Sequence, residues 1–504
     1  MKKSLNLWGL MTILTLSLGF TACGEEEDEP VDKKESTTQY VWGTDGGLKS
    51  CDHLLFTNGK EDPNGKEIGN GNQEFVFKGK QTLKKGTYLL KGWVYIAEGS
   101  ELTIEPGTII KGDKATKAAL IAERGGKLIA KGTPTAPIVF TSAQAKGNRK
   151  PGDWGGVILC GKAVNNQQEM EIEGGPRTKH GGNDNADNSG VLSYVRIEFA
   201  GYPFRQDKEI NGLTLGSVGS GTQLDHIQVS YSNDDSYEWF GGAVNAKYLI
   251  AYKGWDDDFD TDNGYCGTVQ FGLVVRDSKL ADASQSNGFE SDNNGSGSAV
   301  EPYTTAQFSN ITFIGPKLDK NFQNKPDYIT GGSMNPNNGS ALGKFQSAMQ
   351  IRRNSRLSCY NTLAIGYPIG LMLDNEKGDT QGAATAGKLS LKNIWFAGMD
   401  VIGSDMNKKY EDELVTDYKA KKADSSKKSF STTFFLAQGN TVKESWESLI
   451  DTKTFKPLAS SPLLNAASFT GLKGFKTVSY IGAFAANDNW ADGWTEFDPE
   501  NANY

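Results

Sequence analysis

Short apolar runs broken by turn residues set the texture of this chain. Leu102-Thr-Ile-Glu, Thr108-Ile-Ile-Lys-Gly, Leu120-Ile-Ala-Glu, Lys127-Leu-Ile-Ala-Lys-Gly and Ile138-Val-Phe-Thr-Ser follow one another with small turns between them. Those turns are too short for strand-helix-strand crossovers, so the runs predict brief strands. Further on, strands starting at Ile227, Leu249 and Leu273 lie 22 and 24 residues apart. A near-fixed period in that range predicts a solenoid, and coils of this length suit a right-handed parallel β-helix with three short strands per turn.

Asn310-Ile-Thr-Phe-Ile-Gly315, Asn361-Thr-Leu-Ala-Ile-Gly366 and Asn393-Ile-Trp-Phe-Ala-Gly398 each set Asn five residues before Gly around an apolar strand. Asn tolerates the left-handed bend, and its amide can bond to the same position one coil away, which predicts an Asn stack. Their spacings of 51 and 32 imply loops inserted between coils. Helical periodicity is scarce before residue 404. From Asp405 to Lys428 the chain is rich in Lys, Asp, Glu and Ala, with Tyr410, Leu414, Val415 and Tyr418 near a helical repeat, which predicts a short helical insertion or cap. The expected organisation is a β-helix over 40–400 and a helical insertion with a C-terminal cap, mixed α/β in character, over 401–504.

The first 39 residues read differently. Lys2 and Lys3, an apolar run from Leu7 to Phe20, and small residues up to Cys23 have the layout of a secretory signal over 1–22. Its end, Gly19-Phe20-Thr21-Ala22-Cys23, resembles the lipobox of bacterial lipoproteins, which makes Cys23 the expected lipidation site and acyl chains the expected membrane anchor. Residues 23–39 then carry Glu25, Glu26, Glu27, Asp28 and Glu29 and too little apolar surface to fold, so they read as a flexible acidic tether. That acidic cluster also resembles the signal that exports Bacteroidota lipoproteins to the outer face of the outer membrane; a solvated linker with no addressing role is the plainer alternative.

Charge narrows the partners. Without Lys2 and Lys3 the remaining chain has 51 Lys and Arg against 61 Asp and Glu, about −10. This argues against nucleic acid, which rewards basic clusters, and against docking on anionic lipid through protein charge. Cys51, Cys160, Cys266 and Cys359 are widely spaced with no CxxC pattern, and three sit in apolar strand-like runs where a buried free thiol is expected. Three histidines without an HExxH pair exclude the common zinc hydrolase pattern.

Several motifs together resemble a known family. They are Leu102-Thr-Ile-Glu-Pro-Gly-Thr108, Gly152-Asp-Trp-Gly-Gly156, Asp187-Asn-Ser-Gly190 with Tyr194-Val-Arg-Ile-Glu198, Asp234-Asp235 with Glu238-Trp-Phe-Gly-Gly242, and Gly482-Ala-Phe484 with Gly493-Trp494. The set is similar to the right-handed parallel β-helix surface lipoproteins of Bacteroidota, within the pectin-lyase-like superfamily. The resemblance implies fold and location but no activity, since the superfamily holds polysaccharide lyases and hydrolases beside non-catalytic members.

The candidate chemistry is an acidic ladder. Asp235 to Asp257 and Glu238 to Asp260 are each 22 residues, one coil, so Asp234, Asp235 and Glu238 are expected to stack on Asp256, Asp257, Asp258, Asp260 and Asp262, with Asp257, Asp258, Asp260 and Asp262 the candidate metal ligands among them. Glu290 and Asp292 could extend that face, and Trp239 and Trp255 beside it are candidate sugar-stacking rings. Carboxylates so close raise one another's pKa or demand a cation. Calcium is the expected cofactor, held by hard oxygen donors. Asp258-Phe-Asp260-Thr-Asp262-Asn-Gly264 is not an EF-hand, because its Gly falls one place late and position twelve is Val269.

The expected function is a non-catalytic binding or accessory lipoprotein at the outer surface, calcium-stabilised, engaging glycan or an outer-membrane partner protein. A polysaccharide lyase or glycoside hydrolase using the ladder is the alternative, with Arg276, Arg352 or Arg353 as candidate basic groups. Solvated turns with acids acting as local caps are the third reading.

Overall fold

The apolar runs form strands that pair in parallel with the equivalent run one coil away, as Trp93–Ile96 does with Ala119–Ala122 and Tyr237–Gly242 with Phe259–Asp262. The computed structural model describes residues 39–504 apart from 72, 173–176, 206–207 and 421. The signal-like segment with Cys23, and the tether up to residue 38, lie outside the described residues. Residues 40–504 form one unit, a right-handed parallel β-helix whose strands stack into sheets of 13 and 17 strands.

Early coils carry three strands, for example Trp93–Ile96, Glu101–Ile104 and Ile109–Gly112. From Gly190–Glu198 onward the second and third strands fuse, since Lys127–Lys131 and Ile138–Ser142 both pair with that one bent strand. Three strands per turn therefore holds only for the first coils. The bend is made by a residue in the left-handed region, which turns the chain without a loop. Tyr194, His226, Tyr248, Phe271, Asn310, Asn361 and Asn393 occupy this one position in successive coils, with φ from 49 to 64°.

The predicted Asn stack is the second half of this ladder: Asn393 Nδ2 donates to Asn361 Oδ1 at 2.7 Å. Its first half is aromatic, with ring centroids 4.3, 4.5 and 5.0 Å apart from Tyr194 through His226 and Tyr248 to Phe271. Stacking and amide bonding thus offset the cost of a left-handed conformation that non-glycine residues rarely adopt. Pairing also adjusts the period. Leu249 sits opposite Gly272, while Leu273 faces Ile250, so this coil is 23 residues long, not 24.

Both ends of the solenoid are covered, as exposed strand edges require. At the N-terminal end the antiparallel hairpin Trp42–Asp45 with Leu48–Cys51 replaces a bare parallel edge. At the other end the helix Phe430–Ala437 lies on the last coils, its Phe435 ring stacked on Phe396 at 4.1 Å. Ser429 caps that helix, and Asp405 accepts from the Phe430 and Ser431 amides at 2.7 and 2.8 Å.

The predicted helix over 405–428 does not form. Leu414–Asp417 and Lys422–Asp424 make an antiparallel hairpin, and Asp417 Oδ1 accepts from the Ala420 amide at 2.9 Å within its turn. Tyr410 and Tyr418 do not share a helical face: they reach separate coils, at Gln285 and Gln381. Tertiary anchors override the local spacing. Cys51, Cys160 and Cys359 are buried free thiols and Cys266 is an exposed one, with no disulfide among the described residues.

Candidate functional site

The 13-stranded sheet positions the acids by strict alternation. In Tyr237–Gly242 and Phe259–Asp262, Tyr237, Trp239, Phe259 and Thr261 point inward and are buried, so Glu238 and Asp260 face outward. Register places Glu238 opposite Asp260, Asp260 opposite Glu290, and Glu290 opposite Gln350. The 22-residue spacing is thereby a true coil repeat, and Glu290 joins the column across a coil of 30 residues.

A second column runs along the preceding corner. The Asp257 amide donates to Asp235 Oδ1 at 2.9 Å, the Asn287 amide donates to Asp257 Oδ1, and the Ser347 amide donates to Asn287 Oδ1 at 3.0 Å. Each side chain caps the backbone of the next coil. The turn reading expected from these residues is therefore real for one oxygen of Asp235 and of Asp257. It does not account for the cluster as a whole.

Asp234, Asp235 and Asp256 each offer an oxygen within 4.8 Å of the others, and so do Asp235, Glu238 and Asp260. Asp235 belongs to both triads. Asp256 Oδ1 and Asp260 Oδ1 are shielded from solvent and meet no hydrogen-bond donor among the described residues. Burial, reinforced by neighbouring carboxylates, holds Asp235, Asp256, Asp257 and Asp260 well above the usual carboxylate range. Burial, with Asp292 adding repulsion, pushes Asp262 up to about 7.

All of these but Asp262 line a cleft of about 830 Å³. Its far wall is basic: Arg352 pairs with Glu290, Arg352 Nε lies 3.0 Å from Asp292, and Arg353 lies 2.6 Å from the other Asp292 oxygen. A loop bearing Asn338 and Ser340 forms another wall, tied to Asn233 by Ser340 Oγ at 3.0 Å.

The hard-oxygen donor set fits a calcium-sized cation: two overlapping triads of carboxylates, with orphaned oxygens facing no donor. Of the expected ladder, Asp234, Asp235, Glu238, Asp256 and Asp260 are brought together. Asp257 lines the same cleft but has one oxygen engaged by the Asn287 amide.

Other expectations need correcting. Asp258 turns inward, where its carboxylate lies 3.0 Å from Arg276, both side chains 0% exposed. Burial pushes its pKa up to about 7 against the pull of Arg276. Arg276 Nη1 also donates to the Asp256 carbonyl at 2.6 Å, so this pair supports the acidic turn from beneath and is not itself a donor to the cleft. Asp262 sits one row aside, beside Asp292 and Arg353. Asp292 is engaged by both arginines rather than free for a ligand.

Trp239 and Trp255 are each 0% exposed. Trp239 stacks on Tyr265 inside the solenoid, and Trp255 Nε1 donates to the Ala341 carbonyl at 3.3 Å. Neither ring has a face for a sugar: alternation sends Trp239 into the core, and Trp255, at the corner before the strand, is buried in the flank cluster against the Ala341 loop. The acidic loop 183–188 is also structural: Asp187 and Asn185 accept from the Lys162 and Val164 amides, both at 2.9 Å.

Comparison with known proteins adds the following. Residues 76–450 match the family model described as the pectate-lyase like beta helix domain. No curated protein matches the chain. Among solved structures, the crystal structure of the Dettilon tailspike protein (gp208) aligns at 11% identity over 65% of this chain and 60% of its own, with a TM-score of 0.22. The chain thus spans 60% of that tailspike, and so distant a likeness carries no argument about the site.

Proposed function

We propose that the acidic cleft of this chain, which belongs to the pectate-lyase-like β-helix family, binds calcium and that the loaded cleft engages a glycan or a partner protein at the cell surface, without catalysis. The observation that carries this reading is the convergence of Asp235, Glu238 and Asp260 oxygens within 4.8 Å of one another. Carboxyl pairs of glycoside hydrolases stand about 5 to 9.5 Å apart, leaving room for a sugar or a water between them. Three carboxylates converging on one point, rather than a pair facing across a gap, suit a shared proton or cation. Calcium supplies the charge that lets the cluster ionise, and the chain's own role is to hold the donors at fixed heights through coil register.

The outward address rests on Cys23 and the acidic tether. Lipid there would hold the molecule to the outer membrane, and the solenoid would extend from it. A second reading, lyase or hydrolase chemistry on a polysaccharide, draws its support from Arg352 and Arg353 in the same cleft.

The test is titration of the chelator-treated protein with Ca²⁺ by calorimetry, alongside a panel of acidic and neutral glycans scanned for product. Saturable binding, a Tm raised by Ca²⁺, and loss of about tenfold or more in affinity in Asp235→Asn are expected. Product release from any glycan would move the assignment to the second reading. No heat and no Tm change with Ca²⁺ would overturn the calcium site.

A further inference from the structure

A second cavity, of about 620 Å³ and sharing no lining residue with the acidic cleft, opens where the hairpin Ile450–Asp451 with Lys456–Pro457 and the C-terminal tail meet the flank of the solenoid. Tyr252, Phe455 and Phe497 form its aromatic wall. Phe497 lies edge-on to Tyr252 at 5.1 Å and 70°, and 5.9 Å from Phe455 at 57°. Phe455 and Phe497 are only half-buried. Lys453 and Lys456 stand on the rim. Among the lining residues Asp492 is the one acid beside these two lysines, with Asp451 next to Lys453 on the hairpin.

The backbone of Phe455 singles this cavity out. Its φ is +59°, in the left-handed region where Gly or Asn is the usual occupant. Among the described residues every other aromatic ring in that region, on Tyr194, Phe199, His226, Tyr231, Tyr248 and Phe271, belongs to a column of stacked coils that compensates it. Phe455 stands on a hairpin turn with no coil neighbour stacked on its ring. Its amide closes the turn by donating to the Asp451 carbonyl at 2.7 Å, which leaves the ring, held by Phe497 alone among the aromatics, turned toward the cavity.

We propose that this cavity binds an anionic sugar ring, with Phe455 and Phe497 contacting the apolar face of the pyranose and Lys453 and Lys456 meeting its carboxylate or sulfate. Aromatic faces beside polar rims suit a ring that is apolar on one side and hydroxylated on the other, and the volume suits a mono- or disaccharide. Asp492 lines the same cavity and can accept from the hydroxyls.

The site is independent of the calcium reading, so the test is run in EDTA and repeated in Glu238→Gln. Three disaccharides are titrated by calorimetry into the whole soluble chain: chondroitin sulfate (sulfated), hyaluronan (carboxylated only) and cellobiose (neutral). Binding of at least one anionic disaccharide, about tenfold or more tighter than cellobiose, is expected, unchanged in Glu238→Gln. The first two arms distinguish sulfate from carboxylate. Phe455→Gly relieves the backbone while removing the ring, so it should fold and lose about tenfold or more in affinity. Lys453→Ala with Lys456→Ala should do the same by removing charge. Absence of binding by both anionic sugars, equal binding of cellobiose, or full affinity in folded Phe455→Gly would each overturn the proposal.

Discussion

His180 is fully buried, with Nδ1 2.9 Å from Ser217 Oγ and no hydrogen-bond partner for Nε2 among the described residues. Burial, with Arg124 adding repulsion, lowers its pKa from 6.5 to about 3. The folded state therefore resists a proton that the unfolded chain accepts. Its contribution to stability is present above pH 6.5 and lost as pH falls toward about 3. Between pH 6.5 and pH 5 the loss is about 2 kcal/mol, at about 1.4 kcal/mol per pH unit. Urea melts of wild type and His180→Gln at these two pH values should show that loss only in wild type. Equal slopes would show that acid sensitivity arises elsewhere. At this same scale Asp258 and Asp260 show what spacing cannot tell. Both lie in one acidic run, yet one faces Arg276 in the interior and the other faces the cleft. Their separation by two would put them on one strand face, but Asp258 precedes Phe259–Asp262 and follows the corner's geometry instead.

At the scale of elements, the left-handed column converts seven separate strands into one bent surface. Asn361 within it accepts from Asn393 at 2.7 Å and from the Ser468 amide at 2.9 Å, and donates to the Ser468 carbonyl at 3.0 Å. Asn361→Ala loses these bonds and leaves a side chain at φ +49°. Asn361→Gly loses the same bonds without the strain, so the Ala variant should be less stable by about 1 kcal/mol. Equal chemical-denaturation midpoints for the two would remove backbone strain from the account of this column. The Asn half of the column was legible because Asn recurs five residues before Gly. The aromatic half was not, because Tyr194, His226, Tyr248 and Phe271 share a backbone conformation but no residue type. The hairpin that stands where a helix was expected has a related cause: Tyr410 and Tyr418 are anchored on different coils, which a local repeat cannot reveal.

Across the whole molecule, the C-terminal tail runs back along the solenoid and covers the aromatic half of the column. Trp494 is completely buried there, edge-on to Tyr194 and His226, both at 5.9 Å. Gln228 and the Glu496 backbone exchange bonds of 2.6 and 2.9 Å, and Arg149 Nη1 reaches the Pro499 carbonyl at 2.6 Å. Trp494→Ala should cost about 3 to 5 kcal/mol and speed proteolysis of the tail; a thermal melt close to wild type would mean that the tail is not integral to the fold. Sequence by itself determined the architecture and the acidic column, since a repeat of about 22 residues forces equal positions into register and alternation fixes which face each residue takes. Only the tertiary structure decided which acids converge. Arg352 and Arg353 reach Asp292 across about 60 residues, and the loop at Asn338 closes against Asn233 across 105. Inserted loops have no period, so where they land is set by packing and hydrogen bonding among coils already formed, and no local pattern encodes it.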